Sequence, residues 1–384
     1  MKPAQRKIKV LHLIRSLGLG GAETNLLNLA GAFDTERIET HVAYSHGGEV
    51  EDRFKAADLR LFKYADGNHR VKSLHTLLIT LRLARYIRKQ GIDIVHTHNF
   101  SGHVWGLLAA KLTGTKIVEH VHDFRYTPHD ELVRRHGVLD QYRFTPYLRR
   151  RSDRVVVLTR AHRDHVVAHG YRDANQVLEI PNGIPLTTMP HDARAIRRRL
   201  KIEPERIVVL TGARMDPSKN IDLILRIAGP LAARVPQILF LIAGSGTHLA
   251  EYEASCRQQG LDAHVRFIGF HRDMEELLAT ADVFLLPSFL ELHSIAILEA
   301  LKMQVPVVAS HGVGCNDEFI EHGVNGFLCD PFVDAPWIEV LDRLASDPEL
   351  RCAAGSAGAA TCRRLFDIRD TAARFARLYG DLVA

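Results

Sequence analysis

Short runs of β-branched and other apolar residues recur along the chain, each followed by a longer stretch with apolar positions at helical spacing. Runs at 7–14, 39–44, 92–96, 116–120 and 154–158 read as strands. The stretches between them read as helices. One starts near Ala22, and another crosses 74–88 with Leu77, Leu78, Leu81 and Tyr86 on one side. Pro181, Asn182, Gly183, Ile184 and Pro185 interrupt the rhythm as a turn-forming linker. It restarts with strand-like runs at 206–211, 237–243, 264–269, 283–287 and 305–310. Strands separated by helices of this length pair in parallel, so the pattern predicts an α/β protein with two doubly wound domains. The expected bounds are 1–185 and 186–365. A final helical segment, 366–384, carries Ala372, Phe375, Ala376 and Tyr379 at helical spacing, and it either stays on the second domain or packs back on the first. A ligand is expected in a cleft between the domains, facing the carboxyl ends of both sheets.

The length of 384 residues suits two domains of middling size. The longest apolar runs, such as 283–286, are strand-sized, and nothing is expected to span a bilayer. Lys2, Arg6, Lys7 and Lys9 precede a short apolar run with no long hydrophobic region or small-residue cleavage site, so no signal peptide is expected. Cys256, Cys315, Cys329, Cys352 and Cys362 are odd in number and scattered, which points to free thiols in a reducing cytoplasm. Charge is unevenly spread. Residues 1–185 hold 29 Lys and Arg against 19 Asp and Glu, leaving 21 against 26 in the remainder. A basic half suits an anionic partner, or it is a solvated face with no partner.

Candidate chemistry begins at Gly18, Gly20 and Gly21 with Glu23, directly after the first strand. Glycines there let the backbone approach a phosphate, and the following helix N-terminus favours negative charge. The unit also suits a dinucleotide-binding oxidoreductase, but the third glycine is missing and no carboxylate ends the second strand. In the second half, Arg214 and Lys219 share one loop after a strand and could clamp a diphosphate. Gly244 and Gly246 end the next strand as a second close-approach loop. Glu291 and Glu299 stand eight apart around Ser294, a plausible N-cap. The helix opening at Ser294 and Ile295 could then receive a phosphate, Glu299 a ribose diol and Glu291 a sugar hydroxyl.

In this order the pieces resemble the retaining glycosyltransferases of family 4, which have the GT-B fold of two Rossmann-like domains with parallel sheets facing a central cleft. The resemblance runs over nearly the whole chain. It is carried by Gly20-Gly21-Ala22-Glu23, the DIVHTHN stretch at 93–99, His122-Asp123 and Pro181-Asn182-Gly183. Arg214 with Lys219, the 243–246 loop, Phe267-Ile268-Gly269, Glu291 with Glu299, and Gly323-Val324-Asn325-Gly326 complete it. It implies that Gly20 and Gly21 face the diphosphate and that Arg214 and Lys219 neutralise the leaving group. It further implies that Glu299 holds the ribose, Glu291 a donor hydroxyl, the main chain from Ile268 to Phe270 the base, and His122 the donor sugar. His98, Asn99 and His103 are acceptor-side candidates. The implied reaction moves a hexosyl or N-acetylhexosaminyl unit from a UDP- or GDP-sugar to a saccharide, lipid-linked or small-molecule hydroxyl, as in polysaccharide biosynthesis. Leu292 stands where the family usually has glycine, and Gly314-Cys315-Asn316-Asp317-Glu318 departs from the commoner Gly/Pro-rich form. The alternatives are a GT-B protein that binds a nucleotide sugar without transfer, or an epimerase.

The chain has no Asp-x-Asp pair, so neither a metal nor another cofactor is expected. His96, His98, His103, His120 and His122 lack carboxylates at ligand spacing, which argues against a metal site among them. Arg82, Arg85, Arg88 and Lys89, and Arg149, Arg150, Arg151 and Arg154, form basic runs suited to solvent or to acidic lipid on the inner face of a membrane. Nucleic acid is not an expected partner, because no aromatic-interleaved basic platform is present.

Overall fold

The computed structural model describes residues 6–18, 20–57, 59–66, 74–98, 100–122, 151–170 and 172–384. The chain divides into two compact units, 1–183 with 368–384, and 184–367.

In the first unit seven strands are described: β1 (Ile8–Leu13), β2 (Ile38–Tyr44), β3 (Arg60–Lys63), β4 (Ile94–Thr97), β5 (Lys116–His120), β6 (Arg154–Val157) and β7 (Val177–Glu179). They form one sheet in the order β3-β2-β1-β4-β5-β6-β7, with every pairing parallel. The order reverses between β1 and β4, where the connections leave a crevice at the carboxyl ends of the strands. The terminal helix Ile368–Val383 lays Ile368, Ala372, Phe375, Leu378 and Tyr379 on a core that includes Val10 of β1, Leu29, Phe33 and Val118 of β5. The last segment of the chain thus belongs to the first unit. Gly183, where the chain leaves that unit, has no room for a side chain: a Cβ there would lie 2.8 Å from the Ile368 Cα.

The second unit has β8 (Ile207–Gly212), β9 (Ile238–Ala243), β10 (Val265–Gly269), β11 (Val283–Leu286), β12 (Val307–Ser310) and β13 (Phe327–Cys329). Their order is β10-β9-β8-β11-β12-β13, again all parallel. Successive side chains of a strand point to opposite faces, and both faces are covered here. Along β9, Ile238, Phe240 and Ile242 enter one core, and Leu239, Leu241 and Ala243 the other. That is why the run reads as continuously apolar rather than alternating. The strand order reverses between β8 and β11.

One sequence expectation is corrected. On the helix Leu74–Gln90 the buried face is Ile79, Thr80, Leu83, Ala84 and Ile87. Leu77, Leu78 and Leu81, read as part of one apolar side, are each about half exposed, at 53%, 56% and 50%. Their spacing is helical, but the alternative face packs against the helix Phe100–Thr113 through Leu107 and Ala110. All five cysteines are free thiols, four of them buried. No helix among the described residues is long and apolar enough to cross a membrane.

Candidate functional site

The second unit gathers its polar residues where its strand order reverses. The loop after β8 carries Arg214, Asp216 and Lys219, and the loop after β11 carries Ser288, Glu291 and Ser294. Backbone and side-chain bonds lace the two loops together. The Ser218 carbonyl accepts from the Phe289 N–H at 2.8 Å, and Asn220 Nδ2 donates to the Pro287 and Pro331 carbonyls, each at 3.1 Å. Asn220 adopts a left-handed conformation (φ 53°) as it opens the helix Ile221–Arg234, a conformation asparagine tolerates better than most residues.

Lys219 Nζ meets Glu291 Oε1 at 2.6 Å, with side-chain exposures of 13% and 12%. Ser288 Oγ donates to the same Glu291 oxygen at 3.0 Å. The ammonium has two further donors after the Glu291 bond, and its position is fixed before any anion arrives. Arg214 is freer: its guanidinium lies 3.3 Å from Asp216 Oδ2 and is two-thirds exposed. Asp216 is itself held by the Ser218 N–H and hydroxyl.

Ser294 caps the helix Ile295–Lys302, its Oγ accepting from the Ile297 N–H at 3.5 Å. Glu299 is half-buried in the second turn of that helix. Gly244 follows β9 with φ 145°, and a Cβ there would collide with the Ala213 carbonyl, so only glycine fits between the β8 and β9 loops. The Gly244 N–H donates to the Gly269 carbonyl at 2.7 Å, which ties the 244–246 loop to the end of β10. Ile268 lies in β10, and Phe270 just beyond it is 40% exposed. The expected residues Arg214, Lys219, Gly244, Ile268, Phe270, Glu291, Ser294, Ile295 and Glu299 therefore all lie in or beside the carboxyl ends of β8 to β11. Leu292 and His293 turn inward and are buried, and a Cβ at Gly314 would lie 2.6 Å from the Glu291 and Leu292 carbonyl oxygens.

His293 stands edge-on to Phe366, and burial pushes its ring down to about 4. An unfolded imidazole titrates near 6.5, so the folded state takes up its proton only at lower pH than the unfolded chain does. The associated stability is complete above about pH 6.5 and is lost as pH falls from there toward 4, on the order of 2 kcal/mol between pH 7 and 5. Denaturant melts of wild type and His293→Phe at those two pH values should show a shallower pH slope in the variant. Equal slopes would contradict the assignment.

The first unit presents a different set at its own reversal, between β1 and β4. Gly20 precedes the helix Gly21–Ala32 as its N-cap in an extended conformation, and Glu23 Oε1 accepts from Ser16 Oγ at 3.3 Å. Beside it runs a line of imidazoles. His12 Nδ1 shares a hydrogen bond with His98 Nε2 at 2.9 Å, and His98 Nδ1 shares one with His122 Nε2 at 3.0 Å. His96 Nδ1 bonds the Tyr379 hydroxyl at 2.6 Å, so the terminal helix reaches the same cluster. Burial holds His12 down to about 3 and His96, His98 and His120 well below the ordinary imidazole range, each lowered further by its neighbours, so all four are neutral at pH 7. His122 is the partly exposed member.

His98 and His103, expected on the acceptor side, are buried. His98 spends both ring nitrogens on other imidazoles, and His103 faces Thr97 Oγ1 at 3.1 Å and Glu119 Oε2 at 3.5 Å. Both rings lie inside the first unit, facing other side chains. Asn99, Asp123, Arg149 and Arg150 lie outside the described residues. Sequence reasoning missed His12, hidden inside a strand, and Ser288 and Asp216, whose partners could have been sought through the loop positions of Lys219 and Glu291.

Residues 19–188 match the family described as Glycosyltransferase Family 4, and residues 192–361 match Glycosyl transferases group 1. The chain is 24% identical over 361 residues to the UDP-Gal:alpha-D-GlcNAc-diphosphoundecaprenol alpha-1,3-galactosyltransferase of Escherichia coli, covering 91% of each. It is 26% identical over 286 residues to the alpha-D-kanosaminyltransferase of Streptomyces kanamyceticus, covering 72% of this chain and 74% of that one. The fold matches that of Anabaena HepE in complex with UDP-glucose with a TM-score of 0.83 at 22% identity, over 97% and 100% of the two chains.

Proposed function

The chain belongs to the glycosyltransferases of the GT-B fold, of the family 4 type, and from that premise we propose that it transfers a hexosyl unit from a UDP-sugar with retention of configuration and without a metal. The observation that carries this reading is the largely buried Lys219–Glu291 pair, set beside Arg214 at the reversal of the second sheet. As the bond between the anomeric carbon and the diphosphate breaks, negative charge grows on the phosphate oxygens. Fixed cations and a helix N-terminus stabilise that charge without reorganising. Lys219 acts as the positioned point charge, Arg214 as a planar fork, and the backbone N–H groups near Ser294 and Ile295 as dipolar donors. Glu299 takes the ribose hydroxyls, Glu291 a donor hydroxyl from its Lys219-bound position, and the main chain from Ile268 to Phe270 the base. In the first unit His122 is assigned to the donor sugar, and Gly20 and Gly21 to the diphosphate.

UDP is favoured over GDP because the relative from Escherichia coli is named for UDP-galactose and HepE was solved with UDP-glucose. The same relative is named for a diphosphoundecaprenol-linked acceptor, which supports a lipid-linked saccharide here. The experiment is NMR of freshly formed product from an alpha-linked donor in the presence of EDTA. An alpha linkage formed at undiminished rate is expected, and a beta linkage or strict metal dependence would overturn the reading. Hydrolysis or epimerisation without transfer to any hydroxyl would favour the non-transferase alternative.

A lipid-linked acceptor requires approach to a membrane, and one face of the first unit suits it. Leu77, Leu78 and Leu81 are exposed on one helix, and Leu108 (37%) and Leu112 (50%) on the helix packed beside it. Arg82, Arg85, Arg88, Lys89 and Lys111 are exposed on the same two helices. Each cation near an acidic surface contributes about 1 kcal/mol, fading over roughly 8 Å at physiological salt. The chain should co-sediment with vesicles rich in acidic lipid and be released by salt, and Arg82→Gln with Arg85→Gln should weaken sedimentation several-fold. No sedimentation at low salt would assign the acceptor to solution.

A further inference from the structure

We infer that His98, His120 and His122 form a binding site for a divalent transition-metal ion of the zinc, cobalt or nickel kind, which shares His122 with the donor-sugar assignment and is not required for transfer. Their ligating nitrogens lie within 4.8 Å of one another at the carboxyl ends of β4 and β5. His98 and His120 are buried, and His122 is partly exposed, so the group has an inner wall and an opening for the ion and for a further ligand. A second observation points to a ligand independently. Both ring nitrogens of His120 are buried without a hydrogen-bond partner, although buried polar atoms are rarely left so.

The donor chemistry agrees. His98 Nδ1 and His122 Nε2 face each other at 3.0 Å, bridged by one proton. A metal with bonds of about 2 Å takes the place of that proton after a slight widening of the pair. The proton is not lost: His98 carries its hydrogen on Nε2, and His122 on Nδ1. The His98 Nε2–H then donates to His12 Nδ1 at 2.9 Å. Such an outer partner is what fixes the tautomer of a metal-bound imidazole. Three imidazoles without thiolate or hard oxygen favour zinc, cobalt, nickel or copper over magnesium or calcium. The overlapping group His12, His96 and His98 is the weaker choice, because all three rings are fully buried and His96 is held by Tyr379 at 2.6 Å.

The test is titration of the EDTA-stripped full chain with Co²⁺, read by visible absorption. The surface pair His165 and His169, with ring centroids 4.0 Å apart at the C-terminal end of one helix, is the competing site, and His169→Gln controls for it. Expected are one equivalent bound with the intense bands of a four- or five-coordinate site, retained in His169→Gln and weakened at least tenfold in both His120→Gln and His98→Gln. Circular dichroism confirms that the variants fold, and UDP titration reports the second unit separately, so failure here leaves the transfer reading intact. No cobalt bands, or bands lost in His169→Gln and kept in His120→Gln, would overturn the inference.

Discussion

Lys219→Ala is expected to cut turnover at least roughly a hundredfold while the chain stays folded. Loss of one positioned charge-stabilising donor at a leaving group typically costs about 2.7–4 kcal/mol. The structure adds a second consequence. Lys219 is also the cation that holds Glu291, and its removal leaves that carboxylate mostly buried, with the Ser288 hydroxyl still donating to it. Breaking a buried pair from one side destabilises, by up to about 3–5 kcal/mol when burial is complete. At 12% exposure Glu291 retains some water, so the melt should shift less than that limit. The double variant Lys219→Ala, Glu291→Gln separates the two effects. It should recover much of the stability and none of the turnover, because the neutral amide no longer needs a cation while the phosphate still does. Near wild-type turnover in Lys219→Ala would remove the assigned site.

Glu299→Ala is expected to lower kcat/KM by a comparable factor, and here little stability should be lost. The helix from Ile295 to Lys302 is capped by the Ser294 side chain at one end, and at the other the Met303 N–H donates to the Glu299 carbonyl. Alanine preserves both. A carboxylate accepting from two ribose hydroxyls makes charge-assisted bonds of the stronger kind, and Glu299→Gln should keep part of that effect by retaining one acceptor. The measurement is steady-state kinetics with varied UDP-sugar. Unchanged kcat/KM in Glu299→Ala would take the ribose away from this residue.

The long, fully buried strands were legible because both faces are covered, so Val208 to Leu210 or Ile238 to Ala243 carry an unbroken apolar run. Three strands are too short or too exposed to carry such a run. β3 has half-exposed Leu61 and Phe62 between exposed Arg60 and Lys63, and β7 and β13 have three residues each. The helix at 74–90 shows the limit of periodicity. Two apolar stripes of similar width share it, and only the neighbouring helix decides which is covered. The candidate site divides in the same way. Residue types and order exposed Arg214, Lys219, Glu291 and Glu299, but the bond joining Lys219 to Glu291 spans 72 positions and depends on how two loops fold over one sheet. The histidines were visible singly. Their union into a row needed the register that sets His12 of β1 beside His96 of β4.

The carboxyl edge of the second sheet is proposed to bind the nucleoside diphosphate of a sugar donor through Lys219, Arg214 and Glu299. Isothermal titration of UDP into the EDTA-treated full chain tests it most directly, with Lys219→Ala and Glu299→Ala measured alongside. One saturable site is expected in wild type, unaffected by EDTA and weakened at least roughly tenfold in each variant, a loss of about 1.4 kcal/mol or more. Absence of UDP and GDP binding in wild type, or undiminished UDP affinity in both variants, would contradict it.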